Sequence, residues 1–427
     1  MTYDFSDIFQ NQSEVLLEDF IDKYTSCIGY ARDEQPILTP LHYKKILQIF
    51  GSSFEESELL QAFEELALYK ISCAIPYVIV TNEIYGLKGI LISKMSEYSV
   101  HSNVIALLHV IHKINNKIAH VYLASYIKKL ISANNVRISS LSDLVEKNII
   151  THYESHLIWL SKLANFMQAP QGERFVELDD TLCEFGLWLH TEGKRTIHNN
   201  SKYKSIENLH KNLHLFAKKI HDHLGEEEHH ILINYLEKCE LISLSIGTEL
   251  ALIDNILMNR RVTKDALTGA LNRQALQAVF ENQYELSMAT NSPFILAMCD
   301  LDFFKNINDV YGHIAGDKVL ESFVKTVKKN IRNSDMIIRY GGEEFVIMLP
   351  TIDKHKGISI LEKVRQSVEQ SVLIFEGKSI KTTVSIGMME IMPEHHYKKT
   401  FLDDYLLMVD RKLYMAKAGG RNRVESC

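Results

Sequence analysis

A chain of 427 residues is long for one domain, and its 46% hydrophobic and 24% charged content is that of a folded protein with a sizeable core. Basic side chains number 47 against 54 acidic ones, and a formal charge of −7 argues against non-specific nucleic-acid binding. Six irregularly spaced cysteines make neither a disulfide framework nor a paired CxxC metal site. No uncharged apolar run reaches about 18 residues. The Met1-Thr2-Tyr3-Asp4 start lacks the basic residues of a signal peptide, so a cytoplasmic protein without membrane insertion is expected. From Ser13 to Tyr24, Leu41 to Phe50, Glu56 to Tyr69 and Ile105 to Leu130, apolar residues recur at helical spacing with almost no strand alternation. Residues 1–148 therefore read as an all-helical domain. Pro36 and Pro40 bracket a loop, and Pro76 marks a helix junction after the run from Leu66 to Ile75.

The order of these helices, and the Ala74-Ile75-Pro76 break before a long helix, is similar to the globin-like domain of globin-coupled sensors. In that family the haem-ligating histidine lies just before this break; the matching position here is Lys70, beside Tyr69, so haem is not expected. His42, His101, His109, His112 and His120 read as surface or core histidines. The resemblance implies a haem-free sensory or dimerising module.

Residues 149–228 read as helices again, but ten of the nineteen histidines fall between His152 and His230. His210 and His214 share one helix face, as a tetrahedral metal requires, although such a pair can also be ordinary surface. The stretches His156-Leu157-Ile158-Trp159-Leu160, Leu182-Cys183-Glu184-Phe185-Gly186-Leu187-Trp188-Leu189 and His210-Lys211-Asn212-Leu213-His214 resemble the chemoreceptor zinc-binding (CZB) domain, a helical bundle. That resemblance implies Zn²⁺ on His156, Cys183, His210 and His214, a donor set suited to the metal. The plainer reading makes Cys183 a small buried apolar side chain and His156 a helix-surface residue. His152, His190, His198, His221, His223, His229 and His230 are expected to be solvated, with His152 a competitor for the role of His156. Residues 229–262 read as a signalling helix, with Tyr235, Cys239, Ile242, Ile246, Leu250, Ile253 and Leu257 on one stripe and Gly247 as its weak point. Such a stripe pairs with its own copy or packs on the bundle.

In residues 263–427, the apolar run from Ile295 to Cys299 ends in Asp300-Leu301-Asp302. Further on, Met336-Ile337-Ile338 and Val346-Ile347-Met348-Leu349 flank Arg339-Tyr340-Gly341-Gly342-Glu343-Glu344-Phe345. Two strands about paired glycines read as a hairpin, because glycine tolerates positive φ and lets a ligand approach the backbone. Asp300 and Glu343 can then converge on a hard cation at a strand end. The segment resembles the GGDEF family of diguanylate cyclases in its Gly-Gly-Glu-Glu-Phe variant. Further matches are Asp265-Ala266-Leu267-Thr268-Gly269-Ala270-Leu271-Asn272-Arg273, Tyr311-Gly312-His313 with Gly316-Asp317, Thr383-Val384-Ser385-Ile386-Gly387, and Ala416-Lys417-Ala418-Gly419-Gly420-Arg421-Asn422. Where the family often carries a second arginine after Arg273, this chain has Gln274.

The resemblance implies an α/β domain with a central, mostly antiparallel sheet, in a multidomain chain whose N-terminal parts are all-α. It implies condensation of two GTP into cyclic di-GMP in a homodimer, each domain supplying half of the active site. Mg²⁺ or Mn²⁺ would sit on Asp300, the Leu301 carbonyl and Glu343, with Glu344 supporting the catalytic Asp300 and Glu343. Asn308 and Asp317 would read guanine, whose edge adenine does not reproduce. Lys305, Lys417 and Arg421, with the backbone at Phe303 and Phe304, would hold phosphates, and Gly341 and Gly342 would leave them room. Arg332 and Asp335 match the family's RxxD inhibitory site, so feedback by cyclic di-GMP is expected. The alternative is a catalytically silent cyclic di-GMP receptor; retention of both metal carboxylates and both glycines argues for the enzyme.

Overall fold

The computed structural model describes residues 2–28, 40–96, 101–144, 149–168, 175–226, 228–261 and 263–426; Pro36, Val262 and the side chain of His101 lie outside the described set. The N-terminal elements are β1 (Thr2–Asp4), α1 (Ser6–Phe9), α2 (Ser13–Ile28), α3 (Pro40–Phe50), β2 (Ser53–Glu55), α4 (Glu56–Ser72), α5 (Tyr77–Ser96) and α6 (His101–Ser142). The middle contributes α7 (His152–Gln168), α8 (Glu184–Trp188), α9 (Lys194–Thr196), α10 (Asn200–His223) and α11 (His229–Arg261). The C-terminal third holds α12 (Ala275–Thr290), β3 (Phe294–Leu301), α13 (Phe304–Tyr311), α14 (His313–Asn330), β4 (Met336–Arg339), β5 (Glu344–Pro350) and α15 (Lys354–Gln370). It closes with β6 (Leu373–Phe375), β7 (Lys378–Ile380), β8 (Val384–Ile391), α16 (Phe401–Ala418) and β9 (Val424–Ser426). Packing divides the chain into two units, one of Met1–Ile131, Leu163–Phe175 and Leu215–Cys239, the other of Ser132–Lys162, Val176–His214 and Glu240–Cys427.

In the first unit α3 and α4 begin and end close to the sequence reading, whereas α6 starts at His101 and runs past Leu130 to Ser142. Thr2–Asp4 pairs antiparallel with Ser53–Glu55, a short ladder added to the expected helices. Tyr3, Phe5, Phe9, Phe50 and Phe54 form an aromatic cluster beside it, which is why so short a ladder holds. At the predicted junction α4 stops at Ser72, Ala74 takes a left-handed φ of 57°, and α5 starts after Pro76. Lys70 is fully buried, its ammonium 2.7 Å from Glu83 Oε1, while the Tyr43 hydroxyl donates to Glu83 Oε2 at 2.6 Å. A buried cation is tolerated only when paired in this way.

The second unit combines helical segments with the sheet. Its five strands run in the order β4-β5-β3-β8-β9, antiparallel throughout except for β8 with β9. Every residue of central β3 is buried, and alternate side chains feed two cores. Ile295, Ala297, Cys299 and Leu301 pack with residues of α13, α14 and α15, whereas Phe294, Leu296 and Met298 pack with residues of α12 and α16. The predicted mostly antiparallel sheet is therefore present. On α11, Ile246, Leu250 and Ile253 are buried as the stripe requires. Gly247 proves to be a packing device, because a Cβ there would come within 2.6 Å of the Tyr153 ring. By length and composition His229–Met258 could cross a membrane, yet 56% of its most apolar window is buried within the fold. Asp254 of the same helix accepts the backbone N–H groups of Ile149 and Ile150, each at 3.1 Å.

Candidate active site and metal centre

Strand β3 carries Asp300 to its C-terminal end, and the antiparallel register sets Asp300 opposite Glu344. The hairpin tip therefore lies beside the strand end, with the Leu301 N–H 3.4 Å from the Glu343 carbonyl. Asp300 is 6% exposed, and Lys417 Nζ from α16 lies 2.8 Å from its Oδ2. Burial pushes the Asp300 carboxyl upward against the pull of Lys417, and burial followed by the charge of Asp300 raises Glu343. Asp300 and Glu343 are thus close enough for the charge of one to act on the other, and carboxylate oxygens are donors of the kind Mg²⁺ and Mn²⁺ take.

Of the two reasons expected for the hairpin glycines, positive φ does not apply. Positive-φ residues occur elsewhere in the domain, at Phe303 (58°) and Arg421 (65°) for example, but neither Gly341 nor Gly342 is among them. At Gly341 a Cβ would sit 2.5 Å from Glu344 Oε2, the end of a side chain that can swing aside; at Gly342 the surroundings are open. Phe303 holds its left-handed φ between β3 and α13, with its ring 60% exposed and the Arg421 guanidinium 4.6 Å over it. Two expected phosphate-side positions thus meet. Phe304 is buried as the first residue of α13, and Lys305 is exposed on the same helix. Asn308 lies against Gly316, where a Cβ would be 1.9 Å from its Oδ1, next to exposed Asp317 near the start of α14.

Arg332 and Asp335 share one turn: the Arg332 N–H donates to Asp335 Oδ2 at 2.7 Å, and both line a cavity of about 310 Å³ with Lys264, Gly269 and Lys328. Burial pushes the Asp335 carboxyl up to about 6. The Arg332 side chain is exposed.

Two features escaped the sequence reading. Asp302 accepts from Thr383 Oγ1 and Ser385 Oγ at 2.7 Å each and from the Asn422 N–H at 3.1 Å, tying β3, β8 and the C-terminal loop together. The i,i+2 spacing of Asp300 and Asp302 on a buried strand, with Thr383 and Ser385 in a matched motif, was the available signal. Arg339 bridges the Gly342 carbonyl (2.9 Å from Nη2) and Asp265 Oδ1 (3.2 Å from Nη1), and Arg273 stacks 4.5 Å over Tyr340. The segment following α11 therefore grips the hairpin directly.

In the helical part of the same unit, Cys183, His210 and His214 bring one donor atom each within 4.8 Å of one another, all three buried. Cys183 Sγ is 3.3 Å from His210 Nε2. His156, 1% exposed, packs beside them with its ring 5.5 Å from that of His210, but it stands outside the tight trio. Three buried nitrogens, His156 Nε2, His210 Nδ1 and His214 Nε2, have no hydrogen-bond partner, which fits a pocket built for a metal. His214 Nδ1 lies 3.1 Å from the Leu178 carbonyl and must donate to it, leaving its Nε2 as a lone pair. His156 Nδ1 makes the corresponding contact with Ser243 Oγ at 3.2 Å. Burial pushes His156 down to about 3 and His210 to about 2, so both imidazoles are neutral donors at ordinary pH. The Cys183 thiol is pushed up by burial, and Gly186, whose N–H donates to Sγ at 3.2 Å, has no room for a Cβ. Cys183 is thus more than a small apolar side chain.

Of the histidines expected to be solvated, His198, His221 and His230 are exposed. His152 instead stacks on Trp188 at 4.2 Å, which removes it as a competitor for the role of His156. His190 Nδ1 meets the Tyr203 hydroxyl at 3.4 Å, and His229 Nε2 meets His120 Nδ1 at 3.2 Å. Their flat aromatic faces make them easy to bury.

Residues 262–423 match the family described as diguanylate cyclase, GGDEF domain, and residues 156–221 match the chemoreceptor zinc-binding domain. Diguanylate cyclase A of Treponema denticola is 37% identical over 175 residues, covering 40% of this chain and 46% of the relative. Diguanylate cyclase DosC of Escherichia coli is 28% identical over 245 residues, covering 57% of this chain and 52% of the relative. The chain spans about half the length of these curated relatives. Among solved structures, the GGDEF domain of DgcB from Caulobacter crescentus in complex with c-di-GMP is 29% identical, over 38% of this chain and 92% of that one, with a TM-score of 0.36.

Proposed function

We propose that this chain, which carries a GGDEF domain behind a chemoreceptor zinc-binding domain, condenses two GTP into cyclic di-GMP and two diphosphates as a homodimer. The observation that carries the reading is Asp300 at a strand end beside an intact Gly341-Gly342-Glu343-Glu344 tip, inside the matched domain. Each ribose 3′-oxygen attacks the α-phosphorus of the other nucleotide and expels diphosphate, so two domains must face each other. Mg²⁺ or Mn²⁺ on Asp300, Glu343 and the Leu301 carbonyl would neutralise phosphate charge and favour the attacking alkoxide. Lys417, paired with Asp300 in the absence of nucleotide, is positioned to turn to the β- and γ-phosphates when the carboxylate acquires another cation. Lys305 and Arg421 hold the same phosphates, and the open surroundings of Gly342 admit them. Asn308 and Asp317 pair with guanine, and Glu344 supports the carboxylates at the tip.

Arg332 and Asp335 take the product as a feedback inhibitor, the exposed guanidinium meeting phosphate and the carboxylate the guanine edge. Zn²⁺ on His156, Cys183, His210 and His214 restrains the bundle and lowers turnover by limiting how the two catalytic halves align. The N-terminal helices act without haem, because Lys70, where the resemblance puts the iron ligand, is committed to Glu83 and has no lone pair to offer. The chain is read as cytoplasmic.

The test is product formation from GTP and Mg²⁺ by the full chain, with and without a strong zinc chelator, alongside metal content. Product that rises on chelation is expected. No product in either state, with tight cyclic di-GMP binding, would replace the enzyme with a receptor.

A further inference from the structure

Outside both sites, a buried glutamate lacks a hydrogen-bond partner for one of its oxygens and lies beside a half-buried histidine and an exposed aspartate. Glu285 on α12 is 3% exposed, and its two oxygens fare differently. Oε1 accepts the Tyr397 N–H at 2.9 Å, while Oε2 is buried without a hydrogen-bond partner. His396, in the loop between β8 and α16, points Nδ1 at that oxygen from 3.8 Å and at Asp143 Oδ2 from 3.6 Å. Both separations are too long for hydrogen bonds, and this Nδ1 is likewise buried without a partner. A buried carboxylate oxygen left in this way has lost its water without a hydrogen bond in return.

The three donors lie within 4.8 Å of one another. Ligands of a tetrahedral metal with bonds near 2.0–2.1 Å are spaced roughly 3.3 Å apart, so a small contraction would close the group on one ion. Two carboxylates and an imidazole suit a borderline divalent ion such as Zn²⁺, Mn²⁺ or Co²⁺ better than Ca²⁺, which wants more oxygens. The backbone hydrogen bond from Tyr397 already fixes the orientation of Glu285, as supporting contacts do at metal sites.

We propose that Asp143, Glu285 and His396 form a second divalent transition-metal site, chemically distinct from the cysteine-containing one. The ion would join the stretch just after α6 to α12 and to the loop before α16, clasping the end of a helix from the N-terminal half onto the catalytic domain. This assignment does not depend on the cyclase reading.

The full chain would be equilibrated with Co²⁺, desalted, and its metal content compared with that of Glu285→Gln, His396→Ala and Asp143→Asn. Each substitution is expected to remove one metal equivalent per chain while leaving the thiolate-to-cobalt absorption of the Cys183 site unchanged. Metal content unaltered by all three substitutions overturns the proposal. Should Glu285→Gln also lose the thiolate absorption, its buried side chain has disturbed the fold. His396→Ala then decides alone, since that side chain is 43% exposed in a loop.

Discussion

In the helical bundle, His156, Cys183, His210 and His214 are neutral, buried donors, and three of their nitrogens have nothing else to bind. At the strand end, Asp300 and Glu343 are carboxylates of the opposite kind, and Asp300 already has the ammonium of Lys417 at 2.8 Å. Each orphaned nitrogen in the bundle costs about 1–3 kcal/mol, a cost that a bound ion would offset. The strand-end donors are carboxylates that Lys417 can also neutralise, which would suit an ion arriving with nucleotide. The difference teaches that donor type and resting partners separate a structural or sensory ion from a catalytic one before any ion is seen.

The sharpest way to break this contrast is to remove one site and read the other. Asp300→Asn should lower cyclic di-GMP formation by about a thousandfold, the order of losing a charge-stabilising group, with zinc content unchanged. Cys183→Ala should do the reverse, weakening zinc retention by at least about a hundredfold while turnover persists or rises. Loss of turnover in Cys183→Ala with zinc still bound would mean the two sites are not separable. A milder substitution tests whether His156, outside the trio, belongs to the zinc set. Ser243→Ala removes the partner of His156 Nδ1, along with the 3.4 Å contact of the same hydroxyl with that of Tyr153, and should weaken zinc about tenfold; unchanged affinity would leave three ligands.

Asp335 sharpens the comparison from the side of charge, because burial pushes its carboxyl up to about 6. If the ionised form accepts from guanine, product inhibition should fade by about tenfold per pH unit below that value, and in Asp335→Asn the pH dependence should disappear. The stability effect has a defined sign. Between the ordinary value of 3.8 and about 6 the folded chain keeps a proton that the unfolded chain has released. Stability therefore falls as pH rises through that window and stays reduced above it. Asp335→Asn, which can still accept the Arg332 N–H, should melt a few degrees higher at neutral pH.

What the sequence made legible was local or motif-borne: the apolar run of β3, the hairpin between β4 and β5, the His210–His214 helix face and the break at Pro76. What it hid was decided by partners far apart in the chain. Nothing near Lys70 announces that Glu83 and Tyr43 will bury it, and nothing near Arg339 announces Asp265. Asp143, Glu285 and His396 are unremarkable singly, and only the fold brings them together. The glycines at the hairpin were recognised, and of the two reasons offered, positive φ and close approach of a ligand, the first does not hold. The open surroundings of Gly342 leave room for the second.

Gly247 gives the smallest expected effect. It lies one turn from Ser243 on α11, and both face α7, Gly247 against the Tyr153 ring and Ser243 against Tyr153 and His156. In Gly247→Ala the added Cβ would stand 2.6 Å from a fully buried ring, so the two helices must part by a fraction of an ångström. Overpacking of this kind costs about 1–3 kcal/mol, and the better helix propensity of alanine returns about 1. A fall in melting temperature of a few degrees is therefore expected. The more informative readout is zinc affinity, because the same displacement carries Ser243 away from His156 while Asp300, Glu343 and Lys417 keep their sheet and helix supports. Weaker zinc with undiminished turnover in the chelated state would make helix packing the variable that tunes the metal pocket. Turnover that falls with chelator present would tie the catalytic carboxylates to the α7–α11 contact, and the separation of the two sites would have to be abandoned.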